Sequence, residues 1–235
     1  MATVSAVRVA IATKAYGHQT VLNDVTFELV DGEIAALLGP SGCGKTTLLN
    51  LLAGIDDDFV GTITRPSAPA SMVFQAPRLL PWRTLTENIA IASGVGDENA
   101  LRLLTSVGLG EAASVYPEKA SLGMQRRAAL ARALAVKPGL VLMDEPLVSL
   151  DQENAAQMID LIRVHLAETG ASAVISTHQR DEALALADRV LELGGTPATL
   201  IRDEPSPLDR MRRRDPDAVR AATRTWFSKS DQAAE

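Results

Sequence analysis

The chain has 235 residues, 46% of them hydrophobic and 22% charged, with a formal net charge of −6 at pH 7 and one cysteine. That size and balance fit one large α/β domain or a core with a smaller insert, and the acidic excess argues against general nucleic-acid binding, which rests on neutralising phosphates with Lys and Arg. The lone Cys43 excludes an internal disulfide and fits a reducing cytosol, and no uncharged apolar run approaches the roughly 18 residues of a membrane span.

The start, MATVSAVRVAIATKAYG, lacks the basic region, apolar core and cleavage site of a signal peptide, so none is expected. Residues 4–12 and 25–29 predict short, partly alternating strands. Residues 33–39 (EIAALLG) form a continuous apolar run, the pattern of a strand buried on both faces. TTLLNLLAG follows with helical spacing and stops at Gly54, a C-terminal cap. Residues 71–75 (SMVFQ) read as another short strand. Residues 76–137 carry no strong strand signal; they are turn-rich at APRLLPW and helical beyond. GLVLMDEP and ASAVISTH restore the buried-strand pattern, and RVLEL and ATLIR flank the turn-forming GGTP. This layout predicts an α/β core over about 1–75 and 138–205, a helical insert over about 76–137 and a helical tail over 206–235. In the tail, the basic run at 210–214, flanked by Asp209, Asp215 and Asp217, reads as a solvated helix face.

Gly39, Pro40, Ser41, Gly42, Cys43, Gly44, Lys45 and Thr46 fit G-x4-G-K-[ST], between a buried strand and a helix that continues through Thr47. In such a loop, backbone N–H groups close around phosphate oxygens and the helix N-terminus adds its positive dipole. Lys45 is placed for the β- and γ-phosphates and the Thr46 hydroxyl for Mg²⁺. Cys43 reads as a small residue filling an unconstrained position rather than as a redox centre. LVLMDEP supplies two carboxylates at a strand end: Asp144 for the Mg²⁺ hydration shell and Glu145 to polarise the attacking water. Alone, that pair reads equally as a helix cap or a solvated turn; beside the phosphate loop it reads as a Mg²⁺-dependent nucleoside triphosphatase.

Further motifs follow in a fixed order. Gln75 ends a strand, SLGMQRR opens a helix, SLD (149–151) follows the carboxylates, and STH puts His178 at the end of the next strand. With this order and spacing over about residues 5–205, the chain resembles the ATP-binding cassette (ABC) ATPases. QAPRLLPWRTLTENIA and ARALAVKPGLVLMDEP look most like importer subunits of the nitrate, sulfonate and taurine group. The resemblance implies a P-loop NTPase core with a mainly parallel sheet, an antiparallel β flank and an inserted helical subdomain.

It also implies roles for individual residues. Tyr16 matches the aromatic that stacks on adenine, the alternative being a core tyrosine near a strand end. Gln75 matches the glutamine that touches Mg²⁺, and His178 the histidine that organises the attacking water at the γ-phosphate. Asp151 matches the loop that crosses between subunits, although unaided it reads as a helix cap. Leu79, Leu80 and Trp82 mark the docking groove for a membrane permease, or else close the core of the helical insert. The implied cofactors are ATP and Mg²⁺. The implied partners are a second copy in a head-to-tail homodimer, permease subunits and, indirectly, an external solute-binding protein, with no nucleic acid. The implied place is the cytoplasmic face of a bacterial inner membrane.

The signature departs from the family pattern. Where Leu-Ser-Gly-Gly and then Gln or Met is usual, this chain has Ala120, Ser121, Leu122, Gly123 and Met124. Ser121 keeps the hydroxyl and Gly123 the close backbone approach, while Leu122 falls in the first helical turn, where a side chain costs nothing conformationally. Leu122 is expected to refill the space that Ala120 gives up, leaving a working site. The rival reading is an ATP-dependent dimerising switch with impaired hydrolysis. A soluble ABC ATPase acting on DNA or ribosomes would carry tandem cassettes, a coiled-coil insert or a basic face, and the sequence has none of these.

Overall fold

In the computed structural model, which describes residues 5–231, the turn at Gly17 folds β1 (Ser5–Tyr16) back on β2 (Gln19–Val30) as an antiparallel pair. Along β2, Leu22, Val25, Phe27 and Leu29 are buried between exposed neighbours, the mark of a sheet with one wet face. A third strand, β4 (Val60–Thr64), pairs antiparallel with β1 and had no counterpart in the sequence reading. Its residues are nearly all exposed, so it carries no apolar signal; backbone pairing alone places it. Gly61 makes that pairing possible: at φ 139°, a Cβ there would lie 2.1 Å from the Ala10 carbonyl oxygen.

These strands belong to the first of two units, Met1–Arg65 with Ser172–Glu235. Its core strands are β3 (Ile34–Leu38) and β7 (Ser172–Thr177), buried along their whole length and paired in parallel. β8 (Arg189–Gly194) runs parallel on the other side of β3, and β9 (Thr199–Pro205) closes the edge antiparallel to β8. α1 (Lys45–Ala53) follows β3 and buries Leu48, Leu49, Leu51 and Leu52. α6 (Arg180–Leu186) follows β7, and the tail forms α7 (Pro216–Asp231).

The tail corrects one expectation. Arg210, Met211, Arg212 and Arg214 are exposed, as a solvated face requires, but Arg213 is buried, and Arg210 and Arg213 both donate to Asp188, at 2.8 Å each. Asp188 also accepts from the Ile34 N–H, so one carboxylate ties the tail to the start of β3.

The second unit is Pro66–Ala171. β5 (Ala70–Val73) and β6 (Leu140–Asp144) pair in parallel, and β6 is fully buried. Between them run α2 (Leu85–Ser93), α3 (Asp97–Ser106) and α4 (Leu122–Ala135); α5 (Gln152–Thr169) follows β6. Leu85, Ile89, Leu104, Val107, Ala128 and Ala131 form an apolar core among α2, α3 and α4. Among the described residues, no helix is long and apolar enough to cross a membrane.

Candidate functional site

Three glycines with positive φ, Gly39, Gly42 and Gly44, shape the loop between β3 and α1. A Cβ on Gly39 would lie 2.9 Å from the Leu193 carbonyl oxygen, and one on Gly44 would lie 2.8 Å from Leu22 Cδ2. Side chains are excluded at both, so the backbone approaches closely enough to make a concave cradle. Lys45 is 5% exposed, and its ammonium donates to the carbonyls of Gly39 at 2.8 Å and Pro40 at 3.0 Å. A buried cation lying in a ring of backbone groups at a helix N-terminus fits the phosphates of a nucleotide. Pro40, Ser41, Gly42 and Thr46 are exposed along this loop, with Cys43 and Thr47 half-buried.

The same unit carries Tyr16 and His178. Tyr16 ends β1 with half its surface exposed, which is not the environment of a core tyrosine. His178 follows the buried strand β7 and is exposed; beside it the Thr177 hydroxyl accepts from the Gln179 N–H at 3.0 Å and donates to Glu182, shaping the turn into α6.

The second unit carries the carboxylates. Asp144 is 6% exposed at the end of β6, and Glu145 takes the left-handed conformation at φ 45°, an unusual one for a residue with a side chain. Arg126 of α4, itself buried, donates to the Pro146 carbonyl at 3.1 Å and holds the chain just beyond Glu145. Gln75 is exposed after β5. The loop beyond it is gripped from α4 by Arg132, which donates to the carbonyls of Pro77 at 2.8 Å and Arg78 at 2.7 Å. Among the described residues, no three His, Cys, Asp or Glu side chains gather to hold a metal unaided. Within the second unit, Gln75 and Asp144 each carry an oxygen of the hard kind that Mg²⁺ prefers, and in the first unit the Thr46 hydroxyl does.

Ser121 caps α4, its hydroxyl accepting from the Met124 N–H at 3.2 Å. Leu122 is the first helical residue, as expected, and stays 42% exposed, while Ala120 is buried. Met124 packs against the helical core instead. Asp151 caps α5, accepting from the Asn154 N–H at 2.9 Å and the Asn154 side-chain amide at 2.6 Å. Asn154 in turn reaches the signature: a Cβ on Gly123 would lie 3.2 Å from its Oδ1. The fold thus brings Ser121, Gly123 and Asp151 to one place through Asn154, a residue that the sequence reading had not singled out.

The loop over residues 79–84 is built around Asn88, 1% exposed, which accepts from the Leu80 N–H and donates to the carbonyls of Leu80, Arg83 and Thr84. Leu79 packs against the helical core, Leu80 is half-buried, and Trp82 stands 68% exposed. Asn88 had no sequence signal, since a lone asparagine on a helix reads as surface.

The family profile described as ABC transporter matches residues 22–148. The chain is 43% identical over 216 residues to aliphatic sulfonates import ATP-binding protein SsuB 1 of Pseudomonas aeruginosa (strain UCBPP-PA14), covering 86% of this chain and 87% of that one. This chain belongs to the ABC transporter family. A second relative, SsuB 2 of Burkholderia cenocepacia (strain HI2424), is 41% identical over 87% of this chain and 79% of its own. The solved dimer of the ATP-binding cassette MJ0796, in a post-hydrolysis state with ADP and Pi, superposes with a TM-score of 0.76 at 27% identity, covering 86% of this chain and all of that one. The ABC fold accounts for the parallel β3, β7 and β8, the antiparallel flank of β1, β2 and β4, and the helical stretch of α2 to α4.

Proposed function

We propose that the chain is the ATP-hydrolysing subunit of a bacterial ABC importer that takes up aliphatic sulfonates or related solutes. It works as a homodimer under a membrane permease fed by an external solute-binding protein, on the cytoplasmic face of the inner membrane. The observation that carries the reading is the buried Lys45 ammonium, held inside a loop whose glycines exclude side chains. The import proteins that match along most of the chain support the importer role and the solute class. They disfavour the rival, a switch with impaired hydrolysis.

The backbone N–H groups of residues 39–46 bind the phosphates, and Lys45 swings from the loop carbonyls to the β- and γ-phosphate oxygens. When bound, Mg²⁺ would supply charge neutralisation to the phosphates, and Thr46, Gln75 and Asp144 are the residues that would hold it. Glu145 orients the attacking water and takes up its proton, while His178 contacts the γ-phosphate. Tyr16 stacks on the base. Ser121 and Gly123, with Leu122 and Met124 in the same turn, present the start of α4 to the nucleotide bound by the other copy, and Asp151 lies in the same interface. Trp82, with Leu79 and Leu80, offers the docking surface to the permease.

Phosphate release from MgATP by the purified chain tests the reading. Lys45→Ala and Glu145→Gln should each lower turnover by about 100-fold or more, and the Glu145→Gln protein should dimerise in MgATP by light scattering. Turnover that survives both substitutions would overturn the proposal.

A further inference from the structure

Lys14 is the most buried charged side chain described outside the phosphate loop, 1% exposed on β1 two residues before Tyr16. Its ammonium donates to Asp56 Oδ1 at 2.9 Å and to the Asp58 carbonyl at 2.6 Å, with the Asp58 carboxylate 3.7 Å away. It also stands 4.4 Å from the centre of the Tyr16 ring. The Tyr16 hydroxyl donates to Asp56 Oδ2 at 2.9 Å, and the Asp58 N–H donates to Oδ1 at 3.0 Å. Lys14, Tyr16 and Asp56 therefore close a ring of contacts.

That ring spans two parts of the nucleotide site. Residues 54–59 lead from the C-terminal end of α1, the helix that begins at Lys45, into β4, whose Val60 pairs with Thr13. Asp56 sits in this connection. Burial by itself would lower the Lys14 pKa, but Asp56 at hydrogen-bond distance outweighs it and the value is raised; the bond from Lys14 also holds the Asp56 carboxyl below its ordinary range. Both groups are charged at neutral pH, so the pair is a fixed strut.

We propose that Lys14 and Asp56 are positioning residues for the nucleotide base, fixing Tyr16 as a one-faced stacking platform tied to the far end of the phosphate-binding helix. The proposal rests on the reading of Tyr16 as the base-stacking residue. A half-exposed tyrosine left to itself samples several rotamers, and ordering it on binding weakens affinity. Here the hydroxyl is tethered and one ring face lies against the ammonium. The other face is the one left for a purine, and aromatic stacking needs just such an aligned ring. Because Asp56 lies on the connection leaving α1, the platform keeps its register with the phosphate cradle at the other end of that helix.

Calorimetric titration of the full chain with ADP and, separately, with inorganic pyrophosphate tests the strut, since only ADP carries a base. The variants are Tyr16→Phe, which keeps the ring and loses the tether, and Asp56→Ala and Tyr16→Ala, alone and combined. Melting curves identify any variant that fails to fold, and the exposed Tyr16→Phe keeps the test standing if Asp56→Ala does. Tyr16→Phe and Asp56→Ala should each weaken ADP by about three- to tenfold and leave pyrophosphate unchanged. Asp56→Ala should add nothing for ADP in the Tyr16→Ala background. Equal losses for ADP and pyrophosphate, or a full Asp56→Ala effect without the ring, would show that the strut serves the fold alone. A Tyr16→Ala protein that binds ADP like the wild type would instead sink the stacking reading beneath it.

Discussion

Arg126 Nη1 donates to the carbonyl oxygen of Pro146, one residue past Glu145, at 3.1 Å. The bond joins the signature helix to the loop of the proposed catalytic carboxylate, and it is made by a guanidinium only 6% exposed. Its Nε is buried with no hydrogen-bond partner, beside a cavity of about 10 Å³ lined by Phe74, Met143 and Pro146. Arg126→Ala enlarges that cavity and strips the Pro146 carbonyl of its donor. The expected loss of stability is about 2–4 kcal/mol, read from urea unfolding of the two proteins. A midpoint within error of the wild type would refute it.

Leu122 keeps 42% of its surface in solvent, so its side chain contributes less to folding than a buried leucine would. Ser121 already caps the helix, and a contact between a helix start and an anion is worth about 0.3–1 kcal/mol when exposed. Leu122→Gly should therefore change ATP turnover by a factor of about two to five at most. A far larger gain in turnover would mean that the leucine obstructs the site.

Asn88 satisfies one donor and three acceptors of the 80–84 loop from inside the helical unit. Asn88→Leu fits apolar surroundings but takes this partner from the Leu80 N–H and the Arg83 carbonyl, while the Leu80 and Thr84 carbonyls keep the N–H groups of Arg83 and Asn88. It should destabilise the protein by about 2–4 kcal/mol and expose the backbone of residues 80–84 to faster amide hydrogen exchange. Unchanged exchange in that loop would show that other contacts hold it.

Asp188 makes part of the stability dependent on acid. Burial pushes its pKa up, but the hydrogen bonds from Arg210 and Arg213 outweigh burial and hold it below the ordinary 3.8. A depressed carboxylate stabilises fully above its unfolded value, and that contribution disappears as pH falls through the folded one. Asp188→Asn should melt earlier than the wild type at neutral pH, and the gap should narrow as pH drops below 3.8. Melting temperatures across that range decide it; a constant gap would assign the effect to packing.

The candidate site was legible wherever chemistry forces a residue type into a fixed spacing. Gly39 to Thr46 could be read because a phosphate cradle needs glycine where a Cβ would strike a neighbouring strand, and the structure places Leu193 and Leu22 at those points. The buried strands β3, β6 and β7 were legible for a simpler reason: burial on both faces demands an unbroken apolar run. β4 was not, because its exposed residues are held by pairing with β1 and leave no pattern. Asn154, Asn88 and Lys14 were missed because one polar residue has no periodicity. Its meaning lies in partners distant along the chain, as with Lys14 and Asp56, 42 residues apart.

By itself, then, the sequence determined the glycine-rich loop between strand and helix, the strand-end carboxylates, the order of motifs and the alternation of buried strands with helices. Each of these is local: a backbone conformation, a burial pattern or a spacing that a short stretch must satisfy alone. Tertiary structure alone decided that Leu122 faces solvent, that Asp188 rather than a neighbouring acid receives Arg210 and Arg213, and that Tyr16 is tethered through Asp56 to the connection leaving α1. The reason is that a charge or hydroxyl takes whichever partner packing brings within hydrogen-bond distance, and separation along the chain carries no record of that choice.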